Sequence, residues 1–126
     1  MKRLWLGVGV LIVLLGVGIW AMEYAQKLHG QISDVLEEAS RAAMTGDWQQ
    51  VTEKEAQARK KWEKGWGITA ALSDHTELDE IDAGFARLKV YCRDRHGTDF
   101  AAESAALARQ VAALGEGHRL SWRNLF

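Results

Sequence analysis

Residues Leu4 to Met22 read "LWLGVGVLIVLLGVGIWAM", nineteen consecutive residues without a charge. As an α-helix at ~1.5 Å per residue the stretch is about 28 Å long, close to the hydrocarbon thickness of a bilayer. It therefore predicts a membrane-crossing helix. Trp5 and Trp20 stand near its two ends, where indole rings favour the headgroup layer, and Lys2 and Arg3 favour the cytoplasmic side for the short N-terminal end. On this reading residues 1–22 are a signal-anchor and residues 23–126 an extracytoplasmic domain. The competing reading is a cleavable signal peptide cut after Ile19-x-Ala21. Against it, the apolar run exceeds the ~7–15 residues usual for such peptides, and bulky Trp20 stands where the peptidase needs small side chains. Gly7, Gly9, Gly16 and Gly18 form no GxxxG spacing and read as ordinary membrane-helix glycines.

The chain has 126 residues, enough for one domain beyond the anchor. After Met22 it carries fourteen basic residues (all sixteen less Lys2 and Arg3) against all seventeen acidic ones. That balance argues against a nucleic-acid partner. A single cysteine, Cys92, excludes an intramolecular disulfide framework and a cysteine-built zinc site.

Helical periodicity dominates the rest, and proline is absent. Tyr24, Leu28, Ile32, Val35, Ala39, Ala42 and Ala43 recur at three- and four-residue spacing, the mark of an amphipathic helix. Gly46 supplies its stop, and Asp47 with Gln50 three residues on makes an N-cap and capping box for a second helix from Trp48. The second stripe is Val51, Ala58, Trp62 and Trp66, with Arg59, Lys60, Lys61 and Lys64 turned to water. The next stripe, Leu78, Ile81, Phe85, Leu88 and Cys92, is rotated by roughly 120° on the helical wheel, so a turn must intervene. Gly65/Gly67 and Ser73/Asp74 both offer one; Ser73/Asp74 is preferred because it gives helices of similar length. The third helix then runs from His75 to about Arg95. "HGTD" (96–99) turns the chain, and Phe100, Leu107, Val111 and Leu114 mark a fourth helix ended by Gly115 and Gly117. The expected fold is all-α, an N-terminal transmembrane helix continuing into an antiparallel four-helix bundle with a short C-terminal tail.

The densest run of titratable groups is "SDHTELDEID" (73–82), five carboxylates around His75. If Asp74 caps the third helix, these carboxylates occupy its first turns, where the helix dipole and unpaired N–H groups favour negative charge by ~0.3–1 kcal/mol each. Carboxylate di-metal bundles need Glu-x-x-His, and the residues three before His29, His75, His96 and His118 are Gln26, Leu72, Arg93 and Gly115. His75 with Asp79 reads as a first-turn salt bridge. No phosphate loop, GxSxG or HExxH motif occurs. Cys92 falls on an apolar stripe and reads as a buried, inert thiol. No cofactor, metal or catalytic residue is expected, and the chain reads as non-enzymatic.

Counting helices outward from the anchor returns the chain to the membrane at its end. Trp66 and His75, in or beside the turn between helices two and three, should then share the membrane-proximal end with Trp122, Asn124 and Phe126. The tail, "LSWRNLF" (120–126), mixes aromatic and polar groups suited to packing between the bundle and the headgroups.

The length, the basic start and single span, "GDW" (46–48) opening a helix, Trp62, His75 followed by Glu77 and Ile81, and the closing "LSWRNLF" together resemble the domain-of-unknown-function family 4363, short proteins of Gram-positive bacteria. The resemblance implies a membrane-associated helical protein, singles out His75 and Asn124, and carries over no catalytic residue. It also implies a partner role beside a multi-pass membrane protein. The function expected is that of an accessory or scaffold subunit contacting another membrane or envelope protein; the alternative is a sensory bundle that binds a small ligand between its helices.

Overall fold

A computed structural model describes the backbone of residues 1–125 and the side chains of residues 1–114 and Glu116. Among the described residues the protein is all-α, with five helices: α1 (Lys2–Thr45), α2 (Trp48–Lys64), α3 (Trp66–Leu72), α4 (His75–Arg93) and α5 (Gly97–Leu125).

α1 runs unbroken from the apolar stretch into the folded domain. Its residues through Trp20 are exposed, and one window of this helix is long and apolar enough to cross a membrane. Burial begins at Ala25 and continues through His29, Ile32, Ser33, Val35, Leu36, Ala39, Ala42 and Ala43. The buried stripe is thus rotated slightly from the expected one, and Tyr24, expected inside, is 38% exposed and stacks on Trp20. Gly46 ends the helix in the left-handed region at φ 76°, where its N–H bonds the Ala43 carbonyl and the Asp47 N–H reaches back to Ala42. This closes two of the carbonyls that a helix end leaves open.

Asp47 accepts from the Gln50 N–H at 3.2 Å and starts α2, as its position before Trp48 predicts. The chain then breaks at both candidate places rather than one. α2 stops at Gly65, and a separate seven-residue helix, α3, fills the interval to Ser73. At Gly65 the chain also approaches α1 closely: a Cβ there would meet the Leu28 Cδ2 methyl, the end of a flexible side chain. Ser73 is extended, and Asp74 caps α4 by accepting from the Thr76 N–H at 3.2 Å.

Paired side chains give the directions. Along α1 and α2, Glu38 meets Lys54, Gln31 meets Lys61 and Leu28 meets Gly65, so α2 returns toward the apolar stretch. Along α1 and α5, the Ser40 hydroxyl donates to the Ala101 carbonyl (2.7 Å), Ser104 to Leu36 (2.6 Å) and Ser33 to Ala108 (2.9 Å). These two helices are therefore antiparallel, joined by three serine-to-carbonyl bonds among small residues. α4 and α5 are linked by the Arg87–Glu103 pair at 2.8 Å and by Gly84, whose missing side chain admits Leu107. Leu78, Ile81, Phe85, Leu88, Phe100, Leu107, Val111 and Leu114 fill the core with the α1 and α2 stripes.

Two boundaries differ from expectation. The turn before α5 is Asp94–His96, with Arg95 in the left-handed region at φ 55°, so α5 already begins at Gly97. Gly115 and Gly117 do not end that helix, which continues to Leu125; a glycine costs a helix only ~1 kcal/mol. Residues 120–125 are consequently the last part of α5 and not a separate tail. Cys92 is half-buried rather than buried, its sulfur 3.6 Å from the Thr52 hydroxyl.

Candidate functional site

The end of the domain nearest the apolar stretch gathers most of the residues singled out by the sequence. α1 enters it through Ala25 and His29, α2 ends there at Trp62 and Lys64, α3 crosses it, and α4 starts there. At its centre the His29 Nε2 and the Thr69 hydroxyl lie 3.0 Å apart, both residues buried. This bond fixes α3 to α1 inside the core, where a polar group needs a partner.

Trp62 covers this polar pair. Its ring stacks on Phe85 (centroids 5.8 Å, 27° between planes), takes the edge of Trp66 at 5.8 Å and lies 6.4 Å from His29. Its indole N–H donates to the Asp82 carboxylate at 2.8 Å. One member of the acidic stretch is thereby an acceptor for a core tryptophan, and another, Asp74, is a helix cap. Glu77 and Glu80 face a shallow cleft between α4 and α5 of about 180 Å³, completed by Ile81, Gln110, Ala113 and Leu114. His75 and Asp79 are exposed on the first turns of α4. Among the described residues no three histidine, cysteine or carboxylate side chains converge in a way that could hold a metal ion.

Trp66 and His75 fall at this same end but do different things: Trp66 opens α3 and touches Trp62, while His75 faces solvent. The side chains of Trp122 and Asn124, and all of Phe126, lie outside the described residues. His29, Thr69 and the buried Glu55, which pairs with Arg59 at 3.1 Å, are not among the residues picked from the sequence. A signal for His29 exists: it stands four residues after Ala25 and three before Ile32, in phase with the buried stripe.

A family model described as "Domain of unknown function (DUF4363)" matches residues 19–125, starting inside the apolar stretch and taking in the whole helical domain. No curated protein and no solved structure matches the chain.

Proposed function

The chain belongs to the DUF4363 family, and we propose that it is a single-pass membrane protein whose four longer helices form an antiparallel bundle on the extracytoplasmic face, serving as a non-enzymatic accessory or scaffold subunit. The observation that carries this reading is the continuity of α1. One helix of 44 residues holds an exposed apolar half and a buried core half with no hinge between them. A rigid connection of this kind sets the height and orientation of the domain above a bilayer, which suits docking to a neighbouring membrane or envelope protein better than it suits a tethered soluble enzyme.

The test is crosslinking in native membranes with photoreactive residues placed on exposed positions such as Met44, Lys60 and Val90, followed by identification of the captured protein. Capture of one reproducible membrane partner supports the accessory role. Domain-wide crosslinks to lipid alone would remove it.

A second reading is a ligand-binding bundle, favoured by the cleft between α4 and α5 lined by apolar Ile81, Ala113 and Leu114 and polar Glu77, Glu80 and Gln110. A small molecule that raises the melting temperature of the wild-type chain, and not of an Ala113→Trp variant, would favour it.

A further inference from the structure

α3 is the one helix of the folded domain without a charged residue: "WGITAAL", bounded by Lys64 and Asp74. A short apolar helix in a small domain normally belongs to the core, yet here only Thr69 is buried, turned inward to His29. Trp66 is 37% exposed, Gly67 and Ala71 are exposed, and Ile68 and Ala70 are only half-buried. Most of its surface is thus apolar and open.

Its height relative to the apolar stretch is fixed by the neighbouring helix. His29, to which α3 is tied, stands seven residues beyond Met22 on continuous α-helix, about 10 Å along the axis. The headgroup layer of a bilayer is roughly 5–7 Å deep on each side of the hydrocarbon. If Leu4 to Met22 span the membrane, the backbone of α3 therefore lies about 3–5 Å beyond the headgroups, within reach of its tryptophan. Lys27 on α1 and Lys64 on α2 are exposed around the same level, where ammonium groups meet lipid phosphates. Asp74 and Glu77, at the start of α4, put negative charge beyond the other end of α3.

We infer that α3 is a membrane-interface helix: its exposed apolar face, led by Trp66, rests on the headgroup layer of the bilayer that α1 crosses, with Lys27 and Lys64 on lipid phosphates beside it. The occupant of this face is lipid because α3 is tied to α1 only seven residues beyond the span, within a tryptophan's reach of the headgroups, and because tryptophan beside lysine is the composition that such interfaces select. The inference rests on the reading of α1 as a membrane span. α3 thereby becomes the second point of contact that stops the domain from pivoting about α1.

The test uses the full chain carrying Cys92→Ser, reconstituted into vesicles of phosphatidylcholine and phosphatidylglycerol, with nitroxide labels at single cysteines. Ala71→Cys reports on α3, Val13→Cys on the span, and Thr98→Cys on the opposite end of the domain. Power saturation compares collisions with oxygen, which concentrates in lipid, and with a water-soluble nickel chelate. The expected oxygen-to-nickel ratio is highest at Val13, several-fold above the Thr98 value at Ala71, and lowered at Ala71 when Trp66→Ala is added. A ratio at Ala71 equal to that at Thr98, with Val13 still deep, would overturn the inference and leave the anchor standing. A water-like Val13 would overturn both.

Discussion

The His29 imidazole and the Thr69 hydroxyl meet 3.0 Å apart in the core and join α1 to α3. The pair lies between two regions of unlike character: an apolar helix open to its surroundings on one side, and the Trp62–Phe85 stack on the other. Thr69→Val keeps the shape and removes the hydroxyl from beside a buried ring nitrogen. The expected loss is ~1–3 kcal/mol in urea unfolding, with α3 becoming more sensitive to proteolysis than α2. Unchanged stability would mean that the bond does not hold α3 in place.

The acidic stretch is expected to act through a cap. Asp74→Ala should cost ~0.5–2 kcal/mol, because the Thr76 N–H loses its acceptor at the start of α4. Zinc, manganese and iron should leave the melting temperature where it was. A metal-dependent rise that disappears in His75→Ala would assign His75 a role the exposed side chain does not suggest.

How much of this was legible depends on what each residue needs. Gly46, Asp47 and Asp74 act on backbone groups within a few residues of themselves, so their spacing announced them. The stripes of α4 and α5 were equally plain, because Leu78, Ile81, Phe85, Phe100, Leu107 and Val111 are apolar at helical period. His29, Thr69 and the three serines were not, since each is a polar residue whose partner lies on another helix and cannot be found by local spacing. The close approach at Gly65 belongs to the same class: the atom that a side chain there would meet is Leu28 Cδ2, on α1. The acidic stretch was readable as a helix start, whereas the use of Asp82 by Trp62 was not.

The α1–α5 seam should tolerate a smaller residue better than a larger one. Ser104→Ala removes the bond to the Leu36 carbonyl and should cost about 0.5–1.5 kcal/mol. Ser104→Leu must fit a larger side chain into the close approach and should cost ~1–3 kcal/mol or more. Thermal unfolding of the two variants side by side checks the order; a more stable Ser104→Leu would show that the seam is loosely packed.

Acid should weaken the domain slightly through Glu38. Its hydrogen bond from Lys54, at 2.7 Å, holds its carboxyl below the ordinary value of 4.5, against a smaller opposing effect of burial. A lowered folded-state pKa means stability that is present above the unfolded value and lost as pH falls through the folded one. The pair lies at the surface and is only partly buried, so its share is well under ~1 kcal/mol. In Glu38→Gln the slope of stability against pH just below pH ~4.5 should flatten, with no change near neutrality; an unchanged slope would assign the acid response to other carboxylates.

The most direct measurement concerns α1 itself. The account predicts that the full-length chain stays with the membrane fraction through alkaline washing, and that protease added outside intact, wall-stripped cells digests the domain while sparing residues 2–22 within the bilayer. Recovery of a soluble form shortened at its N-terminus near Ala21, or a domain resistant to external protease until the cells are lysed, would contradict it.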